Sequence, residues 1–160
     1  MHSLEHQPAF TIDGVALGQR RGEVDRLLGC PATNANPRWA RYKASADRPL
    51  LVGFRALWPQ DPMENWVVES LSGSLLRVAE RLVTQVGSSI DHVSRHIGPA
   101  VDHFRPEPGV ICYDFSGFLV FCDEHSGKVL EISLRGESDG KAESLPLPAG
   151  RSNGDLTAAC

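Results

Sequence analysis

The chain has 160 residues, 41% of them hydrophobic and 22% charged, with a formal net charge of −4 at pH 7. That mix belongs to a folded globular protein and excludes collagen-like, coiled-coil and wholly disordered classes. No apolar run approaches the ~20 residues that span a bilayer, and the opening MHSLEHQPAF lacks the apolar stretch of a secretory signal. The expectation is a cytoplasmic protein without a membrane partner. The four cysteines, Cys30, Cys112, Cys122 and Cys160, include no CxxC pair, so zinc-ribbon and thioredoxin-type sites have no support and free thiols are expected.

In chain order, FTIDGVAL (10–17) alternates and reads as extended. LGQRRGEVDRLLG (17–29) reads as a short helix with Val24 and Leu28 on a buried stripe, Gly29 at its C-terminal turn and Pro31 beyond it. Strands are expected at 38–44, 50–57 and 66–72. In the first, Trp39, Arg41 and Lys43 share one face and Ala40 and Tyr42 the other. In the second, Leu50, Val52, Phe54 and Ala56 form the core face, with Arg55 on the open one. The hairpin between them carries Asp47 and Arg48. The loop WPQDPMENW (58–66) is stiffened by prolines; Trp66 is expected to tuck under it and Trp58 is left open as a contact residue.

SLLRVAERLV (74–83) puts Leu75, Val78, Ala79 and Leu82 at helical spacing behind Ser74 as N-cap. VGSSIDHVSRHIG (86–98) reads as another short helix, with Ser88 and Asp91 as a capping box and Ile90, Val93 and Ile97 as its buried stripe. Its His92 and His96, four residues apart, could reach one ion, but they lie off that stripe without further ligands, and no metal site is expected. Strands follow at 110–115, 118–123 and 128–135, with Ser116-Gly117 and Ser126-Gly127 as turns. Cys112 and Cys122, placed symmetrically about Gly117, could face each other across this hairpin, depending on register. From 137 to 160 the sequence loses periodicity and reads as a flexible tail.

The two helical segments repeat. A shift of 69 matches Gly18 to Gly87, Val24 to Val93, Arg26 to Arg95, Leu28 to Ile97 and Gly29 to Gly98. RPLLVGF (48–54) then matches GFLVFC (117–122), and VVESLSG (67–73) matches VLEISLRG (129–136). The expected fold is α+β: a tandem repeat of two small units, each a short helical segment packed on an antiparallel three- to four-stranded sheet. The units are placed at 10–73 and 74–136, with the tail at 137–160.

ALGQRRGEVDRLLGCP and QVGSSIDHVSRHIGPA, each followed by a strand meander, resemble the SmpA/OmlA (BamE)-like superfamily, and two such units in tandem are similar to the β-lactamase inhibitor protein. The resemblance implies LLRVAERL as the family's first helix, helices on one face of an antiparallel sheet, and an open face that binds a protein. It also implies envelope-assembly or enzyme-inhibitor roles. In that inhibitor an acidic residue on a first-repeat hairpin enters the target's site, which the resemblance carries to Asp47.

No GxSxG, HExxH, P-loop or GxGxxG motif occurs, so no enzyme, cofactor or small-molecule substrate is expected. Between Arg20 and Arg55 eight basic residues face three acidic ones, a net of +5 in a chain of −4. The expected function is a non-catalytic protein-binding one, of inhibitor or immunity type, masking a partner enzyme or toxin through Trp39, Arg41, Lys43, Asp47, Arg48, Arg55 and Trp58. The alternatives are a polyanion- or nucleic-acid-binding protein using the basic first repeat, against which Asp47 and the acidic loop argue, and an envelope-assembly protein.

Overall fold

The computed structural model describes residues 9–29, 31, 33–36, 38–43 and 48–136. Asp47, Cys30, Cys160 and the expected tail at 137–160 lie outside them. In chain order the elements are β1 (Phe10–Ile12), β2 (Val15–Ala16), α1 (Arg21–Leu28), β3 (Thr33–Asn36), β4 (Trp39–Lys43), β5 (Pro49–Arg55), a 3-10 turn (Met63–Asn65), β6 (Val67–Gly73), β7 (Leu75–Val78), β8 (Arg81–Gln85), α2 (Ile90–Ile97), β9 (Asp102–Glu107), β10 (Val110–Asp114), β11 (Leu119–Asp123) and β12 (Val129–Arg135).

The expected α+β class does not hold. Twelve strands and only two eight-residue α-helices make the described residues mostly β. The decisive difference is at 74–83, which forms the β7–β8 hairpin instead of a helix. Ala79 and Glu80 both take positive φ, 51° and 68°, the geometry of a two-residue type I′ turn whose twist suits paired strands. The pairing runs Leu75↔Gln85 and Leu76↔Thr84, then shifts by one residue to Arg77↔Leu82 and Val78↔Arg81. This buries Leu76 and Val83 and leaves Leu82 exposed, which a helical stripe through Leu82 could not do. The first helix implied by the family resemblance is therefore a hairpin here. Two further strands, β3 and β9, were not expected. All six residues of β9 are exposed, so no burial alternation marks it, and it carries Pro106, which an edge strand accommodates.

The chain divides into two compact units. Among the described residues, one comprises those of 17–71 with 135–136. Its strands run in the order β3-β4-β5-β6, each beside its sequence neighbour, with β3, β4 and β5 antiparallel. Ala40 and Tyr42 on β4 and Leu50, Val52 and Phe54 on β5 are buried on one face of the sheet. Helix α1 meets that face through three side chains. Val24 is fully buried. The Tyr42 hydroxyl donates to Asp25 Oδ1 at 2.7 Å. The Arg21 guanidinium, itself buried, stands 4.8 Å from the centroid of the Phe54 ring, a cation–π contact. Burial, and next the Asp25 hydrogen bond, push the Tyr42 hydroxyl above its ordinary pKa, so the phenol stays protonated and keeps donating.

The other unit comprises the described residues 9–16 and 72–134. It holds a small sheet in the order β2-β1-β7-β8 and the strand run β12-β11-β10-β9. The β1–β2 hairpin turns on Asp13-Gly14, both at positive φ, with Ile12 paired to Val15. Phe118 joins Phe10 and Phe115, each at 5.1 Å between ring centroids. Helix α2 is capped by Ser89, whose Oγ accepts from the Asp91 N–H at 3.1 Å; the cap is one residue later than expected. Its C-terminus ends at Gly98, φ 117°, as α1 ends at Gly29, φ 89°. Gly18–Gly29 and Gly87–Gly98 thus take the same local structure at the 69-residue shift, and in each copy a hairpin precedes the helix and four strands follow.

Register decides the cysteine question. Cys112 pairs with Phe121 and Cys122 with Ile111. Paired residues share a face and successive residues alternate, so the two thiols lie on opposite faces of the hairpin. Both are free and buried. Burial pushes Cys112 up to about 11 and Cys122 up to about 12, which leaves both as unreactive thiols near neutrality. No helix of the described residues is long and apolar enough to cross a membrane.

The buried apolar helix positions are Val24 and Val93, both at 0% exposure, while Leu28 is half-buried and Ile97 is exposed. The expected stripes thus hold at Val24 and Val93 and fail at their C-terminal members, Leu28 and Ile97. Val24→Asp and Val93→Asp should each unfold their unit, because each removes ~1.5–3 kcal/mol of apolar burial and strands a carboxylate in the core. Ile97→Asp should melt near wild type. Circular-dichroism melts of the three variants check this.

Candidate functional site

The face of β4 and β5 turned away from α1 is the open one. The alternation along β4 is as the sequence implies: Trp39, Arg41 and Lys43 are exposed, Ala40 and Tyr42 buried. Antiparallel pairing sets Trp39 opposite Gly53, Arg41 opposite Leu51 and Lys43 opposite Pro49. Arg55, two residues beyond Gly53, lies on the same face. The residues brought together are therefore Trp39, Arg41, Lys43 and Arg55, with Leu51 and Gly53 between them.

Trp39 is 48% exposed but not loose. A Cβ built on Gly53 would meet the Cη2 and Cζ3 atoms of the Trp39 ring at 3.2 Å and would collide with Ser70 Oγ. The indole thus lies across the glycine, one ring face against the strand and the other toward solvent. A glycine opposite an aromatic residue is a known way to seat a ring on a sheet, and here it makes a rigid apolar platform.

The next strand adds two residues the sequence reading missed. On β6 the buried positions are Val68 and Leu71, three apart, so the two-residue period breaks between them. Glu69 and Ser70 both reach the open face: Glu69 Oε1 is 3.7 Å from Arg55 Nε, and Ser70 Oγ borders Gly53. Both partners of the ion pair are largely solvated, so its contribution is small; its effect is to occupy Arg55. Arg41 and Lys43 have no carboxylate neighbour on β4 or β5. The one signal that could have found this arrangement is Gly53 itself, a glycine inside a strand, which marks close approach of another group.

The other expected contact residues lie outside the two strands. Arg48 is exposed just before β5. Trp58 is 68% exposed; its backbone N–H donates to Asp61 Oδ2 at 3.0 Å, which closes the loop while leaving the indole outside. Trp66 Nε1 donates to the Asp61 carbonyl at 3.2 Å, so that ring is tucked under the loop. On α2 the His96 ring nitrogen lies 2.9 Å from the His92 carbonyl oxygen, turned to its own backbone. Among the described residues, no group of three or more His, Cys, Asp or Glu side chains is placed to hold a metal.

Comparison with protein-family models, with curated proteins and with solved structures finds no match. The site is therefore read from its own geometry.

Gly53→Val tests that geometry. The added side chain has no room beneath Trp39, so overpacking should cost about 1–3 kcal/mol. The Trp39 indole N–H resonance should move while that of Trp66 stays in place. An unmoved Trp39 resonance would show that the ring does not rest on Gly53.

Proposed function

We propose that this protein is a non-catalytic protein-binding protein, of inhibitor or immunity type, that covers a partner enzyme or toxin with the open face of β4 and β5. The observation that carries the reading is Trp39, half-exposed yet seated on Gly53, with Arg41 and Lys43 beside it. A pre-ordered aromatic ring loses little conformational entropy on binding, and tryptophan and arginine dominate the energetics of protein interfaces. The resemblance of the repeated helix segments to the SmpA/OmlA-like superfamily supports the same reading, since its members bind proteins. A cytoplasmic setting belongs to this proposal, and the free buried thiols Cys112 and Cys122 accord with it.

The basic character of the face supports one competing reading, a polyanion binder. Glu69 on the same face and the apolar Leu51 and Trp39 favour a protein surface instead. Affinity capture from native lysate, followed by titration of the purified partner, separates the two. Trp39→Ala should weaken binding by ~30-fold, the equivalent of about 2 kcal/mol, Arg41→Ala should weaken it less, and both variants should melt like wild type. If Trp58→Ala alone abolishes binding, the site is the long loop. If only nucleic acid is retained, with affinity falling steeply as salt rises, the protein-binding reading fails.

A further inference from the structure

We infer that this protein self-associates, the open face of β4 and β5 on one copy docking on the outer face of the β9–β12 strand run of a second copy. The inference rests on the protein-binding reading of the β4–β5 face and names a further occupant for it, another molecule of the same chain. Three observations point to it.

The first is that the second repeat has an open face of its own. Pairing sets Asp102 opposite Asp114, Asp114 opposite Leu119 and Leu119 opposite Ser133. The next row runs Phe104, Cys112, Phe121 and Glu131. Paired residues share a face and the rows lie two residues apart, so both rows are on one side of the sheet. The other side carries Val120, Cys122 and Ile132, all buried. On the outer side Asp102 is exposed, Phe104 is 49% exposed, and Leu119, Phe121 and Glu131 are half-buried. Cys112, flanked by the two phenylalanines, is buried at its centre.

The second is charge. The two rows hold Asp102, Asp114 and Glu131 and no lysine or arginine. Local hydrogen bonds hold each carboxylate: Asp102 Oδ1 accepts from the His103 N–H at 2.8 Å, Asp114 Oδ1 from the Ser116 N–H at 2.7 Å, and Glu131 Oε2 from the Ser72 hydroxyl. Among the described residues, none of the three has a basic side chain at ion-pair distance. Burial, and next the Asp114 and Glu131 carboxylates, push the Cys112 thiol up, as two anions beside the same apolar centre should.

The third is complementarity. The β4–β5 face offers the reverse, cations at Arg41 and Lys43 beside the Trp39 platform. Each surface is an antiparallel strand face with an aromatic centre and unpaired charge of one sign. Opposite faces attract and identical ones repel, so the contact joins unlike faces of two copies. Two rows on four strands make a patch well below the ~800 Å² per partner of a standard stable interface, so the association is weak and belongs to high concentration.

The test uses the full chain. Between ~20 μM and ~1 mM protein, the weight-average mass in sedimentation equilibrium should rise and the Trp39 indole N–H resonance should shift. Both changes should disappear in an Arg41→Glu, Lys43→Glu copy and in an Asp102→Lys, Glu131→Lys copy. They should return when the two variants are mixed in equal amounts, because each then meets a face of opposite charge. Circular-dichroism melts establish that the variants fold; if one does not, the other alone still reads the loss. A mass and a Trp39 resonance that stay constant up to ~1 mM overturn the inference, as does association that survives both charge reversals. Neither result touches the partner reading, which is tested separately by capture of the partner with the Asp102→Lys, Glu131→Lys copy, whose β4–β5 face is intact.

Discussion

Tyr42 donates its hydroxyl to Asp25 from a fully buried position, and this hydrogen bond fixes α1 on the apolar side of the β4–β5 pair. The alternation of apolar and charged side chains says which face is covered, but not where on it a helix sits. The Tyr42–Asp25 bond and the Arg21–Phe54 contact fasten α1 to the face bearing Tyr42, Leu50, Val52 and Phe54. The opposite face then presents Trp39, Arg41, Lys43 and Arg55 by geometric necessity. Polar anchors of this kind are exacting. A buried phenol or guanidinium left without its partner is costly, so α1 has little freedom to shift along the sheet.

Glycines complete the arrangement in two different ways. Gly18, Gly29, Gly87 and Gly98 take positive φ and bend the chain into and out of each helix, which side chains at those positions would strain. Gly53 has ordinary backbone geometry and is required by what lies above it, the Trp39 ring. The first set builds the repeat and the last builds the platform. The platform thus follows from the fold and from one residue without a side chain.

The strands of β4 and β5 were legible because their burial alternates with period two, and both faces came out as the side-chain pattern implies. The short helices were legible from their glycine stops and the 69-residue repetition. The β7–β8 hairpin was not, since Ala79 and Glu80 carry no turn signature and SLLRVAERLV matches helical spacing; tertiary pairing with β1 overrides that local preference. The helix stripes were right at Val24 and Val93 but extended one turn too far, to Leu28 and Ile97, because an eight-residue helix offers few positions and a charged residue, Arg21, takes a buried one. On the site, Trp39, Arg41, Lys43 and Arg55 converge as expected. Glu69 and Ser70 were hidden by the break in the β6 period, and Arg48 and Trp58 lie outside the two strands. The cysteine pair shows how much rests on register: ten residues of separation look symmetric about Gly117, yet a one-residue offset places the thiols on opposite faces.

The most direct test of this account is a double-mutant cycle between Asp25→Ala and Tyr42→Phe, read by chemical denaturation. A hydrogen bond to a charged acceptor from a buried phenol should give a coupling above ~1 kcal/mol. Additivity of the two changes to within ~0.3 kcal/mol would contradict the claim that this bond holds α1 to the sheet.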